Sequence, residues 1–261
     1  GGGEENPSPG TVAGMRALRT LLIVAVILGA LFVLADRLAV NFAEDEVADR
    51  LRSSEGLTTT PDVSIDGFPF LTQVADGQLD DVKVGIKDYE AATGTSNQKI
   101  RIDNLSARMH DVRFTGDYSS ATAATATGSA TITYAELLKA AKSAEPGPAQ
   151  VVPGVTATVV SLSDGGNGKI KVGIEATVLG RKLPQPVSVL STVTVDGDTV
   201  KVKADSLPNL GIRFADGRMR AVTDFQQRIE GLPGGIKLDS VQAVQTGVDI
   251  TVQGSNVSLA G

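Results

Sequence analysis

The chain has 261 residues, a net charge of −6, and neither cysteine nor tryptophan. The acidic balance argues against nucleic acid as a partner, and the missing thiols exclude disulfide staples and thiolate metal sites. Aromatic residues make up only 4% of the chain, too few for base-stacking or sugar-stacking platforms.

The opening GGGEENPSPG is rich in Gly, Pro and Ser, and residues 1–16 read as a disordered cytoplasmic tail. From Thr20 to Ala35 the run TLLIVAVILGALFVLA carries no charge over sixteen residues. Ala17, Leu18 and a snorkelling Arg19 lengthen it toward the ~20 residues that cross a bilayer as a helix, so one membrane span is expected over residues 17–35. Arg16 and Arg19 flank one side and Glu44, Asp45 and Glu46 the other, a bias that leaves residues 36–261 outside the cytoplasmic membrane. Cleavage after Ala35 would reach the same destination with Asp36 as the new N-terminus. The uninterrupted helical pattern beyond it favours a retained anchor. That pattern pairs Leu38 with Phe42 and Val47 with Leu51, and Gly56 stands where a helix C-cap falls.

After Pro61 the apolar period drops to two. Val82, Val84 and Ile86 alternate with polar or small residues, as do Ile170, Val172, Ile174, Ala176 and Val178. Further alternating runs cover 100–102, 155–162, 187–195, 200–204 and 248–252. Asp164 to Gly168 and Asp196 to Asp198 lie between matched runs and read as hairpin turns, so the sheet is expected to be largely antiparallel. Two helices interrupt the strands. Thr133 to Glu136 has capping-box spacing ahead of Leu137 and Leu138, with Pro146, Gly147 and Pro148 as the stop. Met219, Val222, Phe225 and Ile229 share one helical face, ended by Gly231 and Pro233. The small-residue run at 121–133, ATAATATGSATIT, reads either as a strand against which something bulky packs or as a flap.

Chemistry is sparse. The single histidine, His110, sits beside Asp111 with no nucleophile elbow anywhere in the chain. Asp80 with Asp81, and Asp62 with Asp66, are carboxylate pairs without the loop spacing of an EF-hand and read as solvated turn residues. No Gly-rich phosphate loop precedes a helix. No catalytic residue, metal ligand or cofactor site is assigned. The stretch VSIDGFPFLTQ at 63–73 does stand out, because large apolar residues surround a proline that cannot continue a central strand. It reads either as a strand end plugging the core or as an apolar lip at a lipid cavity or membrane. Phe68, Pro69, Phe70 and Leu71, with Phe225 from the later helical face, are the candidate lipid contacts.

Those residues also carry a resemblance. VSIDGFPFLTQVADGQLDDVKVGI, the preceding ADRLAVNFAEDEVADRL helix and the ending LPGGIKLDSVQAVQTGVDITVQGSNVSL together resemble the LmeA-like phospholipid-binding proteins of actinobacterial cell envelopes. The resemblance spans most of residues 36–259 and is most specific at GFPFLTQ, 67–73. It implies an α+β fold of the tubular lipid-binding kind, with a curved antiparallel sheet wrapped around long helices and one transmembrane helix ahead of it. It also implies an extracytoplasmic role in glycolipid or mannan assembly. The partners expected are a phospholipid or glycolipid and the cytoplasmic membrane; the alternative functions are a non-catalytic interaction protein that docks a membrane-bound envelope-biosynthesis enzyme, or a hydrolase acting on a lipid or glycan. The physics is compatible with a carrier: exposing a ~16-carbon acyl chain costs on the order of 12 kcal/mol at roughly 0.8 kcal/mol per CH₂, so an apolar enclosure is required.

Overall fold

The computed structural model describes residues 10–54, 56–92, 99–144, 147–207, 216–228 and 235–260. Its first element is one unbroken helix, α1 (Gly10–Ser54), 45 residues long. Residues 10–16 are thus helical where a disordered tail was expected, and Gly1 to Pro9 lie outside the described residues. From Met15 to Leu34 the large apolar side chains are exposed all round the helix. Asp36 is the first buried residue among the described ones, and from there α1 is packed on one side. The helix ends as expected: Gly56 takes φ 62°, and the Leu57 N–H donates to Arg52 O at 2.9 Å, closing the last turn.

The packed face differs from the one read from spacing. Asp36, Val40 and Ala48 are buried with Ala39 and Ala43 beside them, whereas Leu38 and Phe42 are exposed. Two residues along an α-helix turn it by about 200°, so burying 36 and 40 turns 38 and 42 away. Small side chains won this face because they let strands approach the helix closely.

Strands β1 (Asp62–Asp66), β2 (Gln78–Ile86), β3 (Tyr89–Ala92), β4 (Lys99–Phe114) and β5 (Ala121–Thr133) follow, with a short helix α2 (Phe70–Ala75) between the first two. Helix α3 (Tyr134–Ala144) leads to β6 (Ala149–Val152), β7 (Val155–Gly166), β8 (Lys169–Val178), β9 (Arg181–Lys182), β10 (Val187–Asp196) and β11 (Thr199–Ala204). Helix α4 (Asp216–Thr223), β12 (Phe225–Arg228), β13 (Ile236–Ala243) and β14 (Gly247–Ala260) complete the order. Among the described residues one sheet runs β1-β2-β4-β5-β14-β13, with β3 on β4, and the other runs β12-β11-β10-β8-β7-β6, with β9 on β8. All these pairings are antiparallel. The fold is α+β, mostly antiparallel curled sheet with a few helices.

The small-residue run is a strand. β5 sits in the middle of the first sheet, and Gly128 lies opposite Ala107 on one side and Val252 on the other. Both expected hairpins form; in the first, Asn167 and Gly168 take φ 53° and 72°, the left-handed pair that matches strand twist. Thr133 caps α3 by accepting the Glu136 N–H at 3.3 Å, while the Glu136 carboxylate turns to the Arg101 N–H instead of closing the box. Of its expected stop, Pro146 lies outside the described residues.

The expected helical face of Met219, Val222, Phe225 and Ile229 is broken before Phe225. α4 stops at Thr223, the Asp224 carboxylate accepts the Ala204 N–H at 3.0 Å, and Phe225 opens β12 opposite Val202. Pairing with the open edge of β11 satisfies the backbone there, which overrides the helical spacing. Ile229, Gly231 and Pro233 lie outside the described residues.

Two apolar cores result. One gathers Val40 of α1 with Ile65, Phe70, Leu79, Val112, Ala123 and Val257. The other joins Tyr134 and the second sheet's Val155, Ile170, Val172, Ile174 and Val189 to Ala243 and Val248 of the first sheet.

Candidate functional site

The site is built where α1 leaves its exposed apolar stretch. β1 ends at Asp66, Gly67 turns the chain with φ 106°, and Phe70 starts α2. That φ strains any side chain, and a Cβ at Gly67 would also stand 2.5 Å from Gln73 Nε2, so the turn calls for glycine. Pro69 precedes the helix and offers no side-chain cap. The cap comes from elsewhere: Asp36 Oδ1, on α1, accepts the Leu71 N–H at 2.8 Å. A carboxylate at a helix start satisfies an orphan donor and is favoured by the helix dipole. Its other oxygen pairs with Arg37 at 2.6 Å, and Arg37 also reaches Gly67 O at 3.5 Å. The Arg37 guanidinium lies 5.3 Å from the Phe68 ring centroid, a cation–π contact. Two turns further along α1, Glu44 Oε1 accepts the Ile65 N–H at 2.8 Å. Two carboxylates of α1 therefore grip the β1–α2 unit through its backbone.

The five expected lipid contacts divide. Phe70 is 6% exposed and belongs to the first core, so it supports the turn from inside. Phe68 and Leu71 are 57% and 38% exposed, and Pro69 is half-buried. Phe225 is 50% exposed but belongs to the second sheet, whereas the other four follow β1 of the first. Gln73 is buried and its Oε1 accepts the Asp80 N–H at 2.9 Å, tying α2 to β2.

The four carboxylates named from sequence lie in strands β1 and β2 rather than in turns, and one of each pair is engaged in an ion pair across the first sheet. Asp81 takes a two-pronged hydrogen bond from Arg108, and Asp66 pairs with Lys83 at 2.7 Å. The Arg108 guanidinium holds the Asp81 carboxyl below the usual range, and Lys83 does the same for Asp66. His110 has Asp81 within 3.8 Å, through cross-strand register rather than through its sequence neighbour Asp111. These groups neutralise one another on an exposed sheet surface.

Asp36 and Arg37 escaped the sequence reading. Their one legible signal was position, the first charges after the apolar run. Their partners in the β1–α2 turn lie thirty or more residues away in the chain.

The profile of the LmeA-like phospholipid-binding family matches residues 34–253. The chain belongs to this family. No curated protein and no solved structure matches it. The match opens within two residues of Asp36, where α1 passes from exposed to packed, and runs through the β1–α2 turn and the second sheet to the first half of β14.

Proposed function

We propose that this LmeA-like protein is a membrane-anchored, extracytoplasmic phospholipid-binding protein that handles lipid for cell-envelope assembly, without catalysing a reaction. The observation that carries the reading is the family match over residues 34–253 abutting a helix long and apolar enough to span a membrane. In this reading residues 17–35 span the bilayer, Arg16 and Arg19 mark the cytoplasmic side, and residues 36–261 form the lipid-binding part. Phe68, Pro69 and Leu71, with Phe70 beneath them, and Phe225 on the second sheet are the apolar groups offered to lipid. Envelope glycolipid or mannan assembly is the process such a carrier would serve, with a biosynthetic enzyme as its downstream partner.

The test is native mass spectrometry of the full chain released from detergent after purification from membranes. Bound masses matching phospholipids, exchangeable with added labelled phospholipid, are expected. A uniformly ligand-free chain that retains no added phospholipid refutes the reading.

A further inference from the structure

We infer that the β1–α2 turn is a membrane-contact device: Phe68 and Leu71 enter the interfacial layer of the bilayer that α1 crosses, and Arg37 meets the phosphate level. The inference rests on the proposed span and names what the exposed part of the apolar lip touches, namely the bilayer surface. The nineteen residues 17–35 rise about 28 Å as a helix, close to the ~30 Å hydrocarbon thickness. Asp36 therefore stands at the hydrocarbon boundary. Its carboxylate holds the Leu71 N–H at 2.8 Å, so the start of α2 is pinned at that same level. Phe68 stacks on the guanidinium of the very next residue, Arg37, at 5.3 Å, and so it is fixed there too.

Both apolar side chains are exposed at this level, 57% and 38%, although they flank the buried Phe70. An aromatic ring with an arginine over it, at the end of an apolar span, is the arrangement that interfacial lipid favours. The two α1 carboxylates make the contact directional. They lock the turn to the helix through backbone hydrogen bonds at Leu71 and Ile65, so inserting Phe68 and Leu71 beside the span sets the tilt of the first sheet relative to the membrane.

The chain has no tryptophan, so single substitutions report cleanly. Full chains carrying Phe68→Trp, Leu71→Trp, Leu28→Trp in the span, or Leu179→Trp on the exposed β8–β9 turn of the second sheet would be reconstituted in phosphatidylcholine–phosphatidylglycerol vesicles. Fluorescence is then read with lipids brominated near the glycerol backbone or near the chain ends. The expected result is blue-shifted emission at positions 68 and 71, quenched more by shallow than by deep bromines. Leu28→Trp should be quenched most by deep bromines, and Leu179→Trp should emit as in water. Water-like emission at both 68 and 71, with Leu28→Trp quenched, overturns the contact while leaving the span standing. An unquenched Leu28→Trp overturns the span and the contact with it. Equal quenching at 68, 71 and 179 means general adsorption of the domain and also overturns the assignment.

Discussion

Replacing Phe70 by Ala, set against the same change at Phe68, separates the two roles that one apolar lip contains. Phe70 is 6% exposed and packs in the core with Val40, Ile65, Leu79 and Val112. Removing a buried phenyl ring costs about 3–5 kcal/mol, because the transfer energy is lost and the neighbours close the void only in part. For a domain of this size each kcal/mol lowers the melting midpoint by about 2–4 °C, so a loss of roughly 6–20 °C is expected. Phe68 is 57% exposed, and its specific partner is the Arg37 guanidinium, a contact that contributes about 0.5–1 kcal/mol at an exposed site. Phe68→Ala should therefore move the midpoint by no more than about 4 °C. Thermal melts followed by circular dichroism at the sheet signal, on the full chain in one detergent, provide the comparison. Equal midpoints for the two variants would refute the placement of Phe70 in the core. Phe70→Asp should leave no cooperative transition at all, since it buries an unpaired charge.

Asp36→Ala leaves the first amides of α2 without their carboxylate, and hydrogen–deuterium exchange should accelerate selectively over residues 70–75; unchanged exchange there would contradict the cross-chain cap. At Gly247 a Cβ would stand 2.1 Å from the Ile132 carbonyl oxygen, so Gly247→Ala should cost at least about 1–3 kcal/mol in urea unfolding by forcing β14 away from β5. Asp81 is lowered by its Arg108 hydrogen bonds, and Asp117 is lowered to about 2 by the Thr115 and Ser119 hydroxyls and the Ser119 N–H. Depressed carboxylates contribute stability that is complete above their unfolded pKa of about 3.9 and is lost as pH falls toward the folded value. Melting midpoints should therefore fall on acidification between about pH 5 and pH 2, less steeply in Asp81→Asn, and an equal slope in that variant would contradict the pairing. His110→Ala and the Asp80→Asn, Asp81→Asn pair should leave phospholipid retention unchanged with no lipid product formed; turnover abolished by either would establish a hydrolase.

Where local periodicity decided structure, the sequence was sufficient. An uncharged run is exposed or buried as a whole, alternation of Val and Ile with Lys and Thr makes strands, and Asn-Gly between matched runs makes a hairpin, because each depends on neighbours within a few residues. The FPF stretch was legible as a break in a strand for the same reason, since proline cannot donate to a ladder. Its division into a buried Phe70 and an exposed Phe68 was not legible, because that depends on a helix starting at residue 70 under a cap from residue 36. Phe225 failed on similar grounds: helical spacing favoured one face, and an open edge of β11 favoured a strand. The packed side of α1 could not be read from Leu38 and Phe42, as the larger residues were left outside when Val40 and three alanines took the packed face. The ion pairs around Asp81 came from register between β2 and β4, and register is set by the whole sheet. Only the tertiary structure could bring Asp36, Arg37, Phe68 and Leu71 together, because their contacts join segments some thirty residues apart whose separate sequences carry no mark of the partner.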